Sequence, residues 1–348
     1  MKHLRLSLIG FGVVGQGLAE LLTCKQDLLK QRFGLEVTLV SVANARHGYI
    51  YKESGLDIPL LLELAASQRP LTAHPGVKHW QHTLDGLRAG SADVVAEATA
   101  TNLRDAEPGM SHIRTALTRG MHVITSNKGP IALAAKELLA LAQHHGVQLR
   151  MEATVMAGTP VLSSLQEGMA GARVRSLRGI LNGTTNYILS AMASGREYAE
   201  VLAEAQAQGY AEADPTADIE GYDVVAKTLI LAALACGHTL KPEQVLRQGI
   251  KAISKKLVLE AMNEGKRIKL IASLGVISDL GEAPLEASVE PIALPLSDPL
   301  AHVDGVMNAI TFQTDTLSEV TIIGPGAGRL QTGQGLLSDL LAIAATLK

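Results

Sequence analysis

Leu4-Arg5-Leu6-Ser7-Leu8-Ile9 runs into Gly10-Phe11-Gly12-Val13-Val14-Gly15, and a helical pattern opens at once; this stretch decides how the first half of the chain is read. The short apolar run has the composition of a strand covered on both faces. Gly10 permits a tight turn, Gly12 lets the backbone approach a pyrophosphate, and Gly15 lets the helix sit close to the strand. The helix then faces the phosphates with free N–H groups. In isolation the same glycines could serve helix–strand packing alone, so their meaning depends on what surrounds them.

Working outward, Val37–Ala43, Asp93–Ala98, His122–Thr125 and Val147–Val155 are further strand candidates. They alternate with helix-like stretches at Gly15–Leu29, Ser111–Arg119 and Pro130–His145. Strands separated by helices of this length imply right-handed βαβ units and a parallel sheet. Residues 1–150 are therefore expected to form an α/β, Rossmann-type dinucleotide-binding domain. Beyond residue 155 the rhythm changes. A helix (Pro160–Met169), a strand (Val174–Leu181) and more helices reach Cys236, followed by β-like segments at Lys269–Ile277, Leu285–Glu290, Val306–Thr314 and Glu319–Ile323. That pattern predicts an α+β second domain over 151–329. An amphipathic helix, Gly335–Leu347, closes the chain, and residues 330–348 are expected to return to the first domain.

Composition excludes several classes. Of 348 residues 47% are hydrophobic and 19% charged, which supports packed cores and argues against disorder. A net charge of −3 and 3% aromatic residues give no basis for binding nucleic acid or anionic lipid. The longest apolar run, Thr228 to Cys236, is far below the roughly 20 residues of a membrane span, and no signal-peptide pattern opens the chain. The expected location is the cytoplasm. Cys24 and Cys236 lie in apolar helix-like segments and read as small buried hydrophobes.

Three places carry candidate chemistry. The second strand ends in Val42-Ala43-Asn44-Ala45-Arg46-His47, without the acid that holds a ribose 2′-hydroxyl in NAD sites. Arg46 there suits the 2′-phosphate of NADP, although a solvated loop arginine has the same sequence. Lys128 stands just past the carboxyl end of a strand, where such folds bind ligands, and a surface lysine is the alternative. Finally, Gly209 to Lys227 holds a loop rich in acids followed by a helix. Asp223 and Lys227 share a face of it, either as an ordinary i,i+4 pair or as a lysine partly buried among carboxylates. His79, His82 and the pair His144-His145 lack a third ligand at zinc spacing.

Taken together, these segments resemble the homoserine dehydrogenase family over essentially the whole chain. The motifs are the glycine turn, TSNKGP (Thr125–Pro130), EATVMAGTP (Glu152–Pro160), RGILNGTTNYIL (Arg178–Leu189) and GYAEADPTADIEGYDVVAK (Gly209–Lys227). The resemblance implies NAD(P)-dependent, reversible reduction of L-aspartate 4-semialdehyde to L-homoserine, a step of threonine, methionine and isoleucine biosynthesis. Lys227 would be the proton donor, with Asp218 positioning it or the substrate, and Lys128 would lie between cofactor and substrate. Glu212 and Asp223 would bind the ammonium and hydroxyl ends, helped by the Gly183-Thr184 turn. Gly10, Phe11, Gly12, Val13, Val14, Gly15 and Arg46 would hold the dinucleotide, and Gly209, Thr99 and Gly326 would lie beside its nicotinamide. Glu152 and the carbonyls of Val155, Ala157 and Thr159 would form a monovalent-cation site, usually sodium. The family further implies a homodimer built on second-domain strands. The short-form pattern predicts no appended regulatory (ACT) domain and no threonine feedback through one. Two rival readings are another two-domain NAD(P)-dependent oxidoreductase acting on a small carbonyl, and a cofactor-binding regulator without turnover; an intact lysine–carboxylate set argues against the second.

Overall fold

The computed structural model describes residues 1–276 and 285–347. Ile277, the last residue of one expected strand, and Lys348, the last residue of the expected segment 330–348, lie outside them. The chain divides into two compact units, Met1–Gly158 with Ala327–Lys348, and Thr159–Gly326. The first unit runs β1 (Lys2–Ile9), α1 (Val13–Cys24), α2 (Gln26–Phe33), β2 (Leu35–Asn44), β3 (Gly48–Tyr51), α3 (Ile58–Ala66), β4 (Lys78–Trp80), α4 (Thr83–Ala89), β5 (Val94–Glu97), α5 (Gly109–Thr118), β6 (His122–Thr125), α6 (Lys128–His144) and β7 (Leu149–Arg150). The sheet order is β4-β3-β2-β1-β5-β6-β7. From β2 through β7 neighbouring strands are parallel, as the βαβ rhythm predicts, so the Rossmann-type expectation holds.

The all-parallel expectation does not hold. β3 and β4 add an antiparallel edge beside β2. Asn44 makes the reversal: its Oδ1 accepts from the backbone N–H of Arg46 at 3.1 Å and of His47 at 2.7 Å. Such an Asx turn replaces the helical crossover a parallel strand requires. Two expected elements of this unit are also corrected. The single helix Gly15–Leu29 is α1 and α2, broken at Lys25, whose φ of −105° and ψ of 11° leave the helical region. The strand Val147–Val155 shrinks to Leu149–Arg150 and gives way to a 3₁₀ turn at Glu152–Thr154.

The second unit runs β8 (Val174–Ile180), α7 (Gly183–Met192), α8 (Tyr198–Ala207), α9 (Thr216–Ile219), α10 (Tyr222–Ala235), β9 (Leu246–Arg247), α11 (Lys255–Asn263), β10 (Lys266–Val276), β11 (Leu285–Pro295), β12 (Met307–Thr314) and β13 (Glu319–Pro325). Its sheet, ordered β13-β12-β8-β10-β11-β9, is antiparallel except for the β9–β11 pair. This is the expected α+β layout. The helix expected over Pro160–Met169 is instead largely a π turn, Ser164–Gly168, with Met169 N–H donating to Ser164 O five residues back. Inside the unit, α10 is buried continuously from Val224 to Ala232. A helix apolar all round belongs in a core, and Lys227 is carried into it.

The chain closes with α12 (Arg329–Thr346), which belongs to the first unit. Leu336, Leu337, Leu340 and Ile343 recur at helical spacing and pack into one cluster with Leu4, Leu6 and Leu8 of β1 and Leu18, Leu21 and Leu22 of α1. Truncating any one of these leucines to alanine costs about 2–5 kcal/mol. Polar ties fix the register. Lys25 Nζ donates to Gln334 Oε1 at 2.7 Å, Arg329 Nε to Glu20 Oε2 at 3.1 Å, and Asp339 Oδ2 accepts from Glu152 N–H at 2.8 Å. That last bond pins the backbone where the strand expected over Val147–Val155 would have continued beyond β7. The cysteine reading needs a correction: Cys24 is exposed, whereas Cys236 is partly buried and burial pushes its thiol up to about 11. Cys24 sits at the last turn of α1, beyond the buried stripe. Among the described residues no helix is long and apolar enough to cross a membrane.

Candidate active site

In the first unit the glycine turn joins β1 to α1 as the sequence predicts. Gly10 takes φ +98°, and its N–H and that of Phe11 both donate to Ala43 O at the end of β2. A Cβ on Gly15 would stand 2.2 Å from Gly10 O, so only glycine lets α1 start this close to the turn. Gly12 caps α1 without a side-chain bond and faces open space, and Val13 beyond it is 65% exposed. No acidic residue stands in the first turn to repel a phosphate. The carboxyl ends of β1, β5 and β6 lie side by side, which brings Gly10, Thr99 and Lys128 to one edge of the sheet. Ligands of open α/β sheets bind at such an edge. Lys128 opens α6, capped by Asn127, whose Oδ1 accepts from Gly129 N–H at 3.1 Å. Arg46 sits exposed at the tip of the β2–β3 turn.

In the second unit Lys227, Asp218, Asp223 and Thr184 converge. Lys227 is 6% exposed, and its Nζ donates to Leu181 O at 2.5 Å and to Asp223 Oδ2 at 2.8 Å. Two of its three N–H groups are thereby spent, and the third has no partner among the described residues. Asn182 joins the two acids: its Nδ2 donates to Asp218 Oδ1 at 2.7 Å and to Asp223 Oδ2 at 3.1 Å. The same side chain caps α7 by accepting from Thr185 N–H at 2.9 Å. Thr184 Oγ1 lies 3.0 Å from Asp218 Oδ2 and 2.6 Å from Tyr210 O. Burial raises the Asp218 carboxyl above the usual aspartate range, and the charge of Asp223 adds to this; the bonds from Asn182 and Thr184 and the charge of Lys227 offset part of it. The cluster holds a cation at a fixed point beside two close carboxylates, which suits stabilising and protonating an oxygen that gains negative charge.

Other expected residues stand apart from that cluster. Glu212 is exposed, and its carboxylate enters no hydrogen bond or ion pair among the described residues. Gly209, with φ +75°, turns the chain after α8, and Gly183 opens α7 against Val306 O. Gly326 lies against Asn308, whose amide would be 2.1 Å from a Cβ placed there; both amide atoms are buried without a partner. Glu152, Val155 and Ala157 are buried after β7, with Met156 and Ala157 both in the left-handed region at φ 56° and 54°. Thr159 belongs to the second unit, where its hydroxyl donates to Pro325 O at 2.9 Å. Sequence reading missed Asn182 as the residue joining the acids and Asn127 as the cap before Lys128. An asparagine immediately before a helix is the signal that would have found both.

A family model described as "Homoserine dehydrogenase" matches residues 160–341, and one described as "Homoserine dehydrogenase, NAD binding domain" matches residues 10–152. The chain is 41% identical over 348 residues to the NAD(+)-dependent homoserine dehydrogenase of Pseudomonas canavaninivorans, covering 99% of this chain and 97% of that one. It is 38% identical to the homoserine dehydrogenase of Methanocaldococcus jannaschii, covering 98% of each. A hyperthermophilic archaeal homoserine dehydrogenase mutant solved with NADPH superposes with a TM-score of 0.84 at 28% identity, covering 100% of this chain and 99% of that one.

Proposed function

Since the chain belongs to the homoserine dehydrogenase family and is an NAD(P)-dependent oxidoreductase acting on a CH–OH group, we propose that Lys227 protonates the oxygen of L-aspartate 4-semialdehyde as it is reduced to L-homoserine. The observation that carries this is the Lys227 ammonium, buried and held by Leu181 O and Asp223 with one N–H left for a substrate oxygen. When bound, the dinucleotide supplies the hydride, or takes it back in the reverse direction. Asp218 and Asp223, joined through Asn182, set the position of Lys227 and of the substrate's hydroxyl end. Glu212, exposed on the loop after α8, is free to take the substrate ammonium, and Lys128 and Thr99 face the dinucleotide from the ends of β6 and β5. Gly209 and Gly326 are carried over as nicotinamide neighbours from the family resemblance alone.

NADP over NAD is the preference that Arg46 supports. Asn44 occupies the tip of β2 where an acid would repel a 2′-phosphate, and its side chain is committed to the turn that presents Arg46. A monovalent cation fits the residues after β7. Two successive left-handed residues that are not glycine cost about 1–2 kcal/mol each, and a hard cation taking the Val155 and Ala157 carbonyls and the buried Glu152 would repay that strain. Thr159, the remaining member of the family's set, has its carbonyl on Val161 N–H at 2.8 Å with a lone pair to spare. The family's homodimer would form on the second-unit strands, whose edges leave Leu246 on β9 64% exposed and Ile323 on β13 54% exposed. Absorbance of NADPH or NADH at fixed aspartate semialdehyde tests the whole reading: oxidation that depends on the semialdehyde is expected, and dinucleotide binding without turnover would make the chain a regulator instead.

A further inference from the structure

Glu97 is the last residue of β5 and is fully buried, yet its Oε2 meets no hydrogen-bond donor. A carboxyl with an orphan oxygen in a core is far costlier than the valine or isoleucine that packing alone would favour there. Its other oxygen is crowded. Oε1 accepts from the Thr99 hydroxyl, from Thr99 N–H at 3.3 Å, and faces His112 Nδ1 at 3.4 Å. The chain continues from there: Asn127 Nδ2 donates to Thr99 Oγ1 at 3.1 Å, and Asn127 Oδ1 caps the helix that Lys128 opens. The backbone carbonyl of Glu97 takes the Thr125 hydroxyl at 2.9 Å and Ser126 N–H at 3.1 Å. On the opposite side, a Cβ on Gly10 would stand 2.4 Å from the Ala98 carbonyl and 2.7 Å from Thr99 N, so the Ala98–Thr99 peptide lies directly on the glycine turn.

We propose that Glu97, with His112 behind it, is a positioning residue for the dinucleotide: it fixes Thr99, and through Asn127 the start of α6, against the Gly10 turn. This rests on the reading that Thr99 and Lys128 line the cofactor site. Glu97 itself is sealed from ligand, so its effect passes through Thr99. Because the Thr99 hydroxyl donates to Glu97 and accepts from Asn127, its proton has one direction only, and a ligand meets a lone pair at a fixed point. Packing against His112 keeps the carboxylate from swinging away.

The test is a fluorescence titration of NADPH and NADH on the folded protein, read beside its melting temperature and steady-state constants. Glu97→Ala should raise the dinucleotide Kd by about tenfold, because the ligand must then order the Thr99 side chain that Glu97 held in place, and leave the KM for semialdehyde near that of the wild type. Glu97→Gln, whose amide oxygen can accept the same Thr99 donors, should restore Kd to within about threefold. Wild-type Kd in Glu97→Ala, with only the melting temperature lowered, would overturn the proposal. If that variant does not fold, Glu97→Asp decides the matter: it keeps the charge but shortens the reach to Thr99, so a wild-type Kd overturns the idea and a severalfold loss supports it. Thr99→Val separates this failure from that of the underlying reading. If Thr99→Val weakens binding while the Glu97 variants do not, the Glu97 role fails alone; if Thr99→Val also binds normally, Thr99 does not line the cofactor site and both fail.

Discussion

Removing the Lys227 amine separates its chemical role from its structural one. Lys227→Ala deletes a proton donor, and general acid catalysis contributes about 10²–10⁴-fold, so turnover should fall by that factor. In barrier height this is about 3–5.5 kcal/mol at 1.36 kcal/mol per decade. The same change breaks an ion pair whose side chains are only 8% and 16% exposed. Loss of one partner of a buried pair costs about 3–5 kcal/mol, and Asp223 retains the bond from Asn182, so the loss should sit near the bottom of that range. Stability and turnover must therefore be measured on the same samples, by thermal melting and by NADPH absorbance under saturating substrate. Lys227→Arg is the discriminating variant. Its guanidinium can still bond Leu181 O and Asp223, so much of the stability should return, but it does not readily release a proton, and turnover should stay low. Near-native turnover in Lys227→Arg would refute proton donation by this residue and move the role to Lys128 or an ordered water. An alanine variant that melts early but turns over normally would reduce Lys227 to a structural i,i+4 partner.

Arg46→Ala should weaken NADP binding by about 1–3 kcal/mol, the range for a charge-assisted hydrogen bond, and leave NAD nearly untouched; equal losses in paired titrations would remove Arg46 from the 2′-phosphate. Asp218 carries a pH signature. Its folded-state value is raised above the ordinary 3.8 by burial and by Asp223, so the native state binds the extra proton and its stability contribution is full below that value. It is lost as pH rises through the raised one. Melting curves across that acidic window should fall with pH more steeply in the wild type than in Asp218→Asn, and parallel curves would contradict the shift. Replacing sodium by choline at constant ionic strength should lower the melting temperature of the wild type but not of Glu152→Gln. Insensitivity of both would leave the strained turn at Met156 and Ala157 without a cation to explain it.

What could be read in the sequence was what local spacing encodes. The Gly10–Gly15 turn is complete within six residues: Gly15 answers a contact within the turn, Gly10 one with the Ala98–Thr99 peptide after β5, and Gly12 leaves open space. The alternation of β1, β2, β5 and β6 with helices follows from apolar runs long enough to show a pattern. β3 and β4 do not have that length. At four and three residues they are shorter than any periodicity, and they exist because an Asn44 turn folds them back on β2. The break at Lys25 was hidden for a related reason: α1 and α2 are both helical in composition, and only tertiary packing decides that one is a buried stripe and the other lies largely on the surface. Glu97 illustrates the deeper limit. A lone acid at the end of an apolar strand says nothing of Thr99 or His112 until α5 is folded beside it.

The two readings of Lys227 show where such inference can be extended. From spacing alone, an ordinary i,i+4 pair with Asp223 is the favoured reading over a buried amine. Yet the residues around it already bore on the choice: from Val224 to Ala235 Lys227 is the only charged residue, and no polar face remains for its side chain to follow to water. Nine consecutive buried residues in α10 confirm that geometry. A buried ammonium must find acceptors, and an i,i+4 aspartate supplies one. The other is Leu181 O, 46 residues earlier, where β8 ends and α7 has not yet begun. A carbonyl is left open by the end of a strand, and Asn182 follows it as the cap that gathers Asp218 and Asp223. The need for a second acceptor was therefore legible in α10. Its identity was not, because every residue has a carbonyl and only the fold selects which one is unspent.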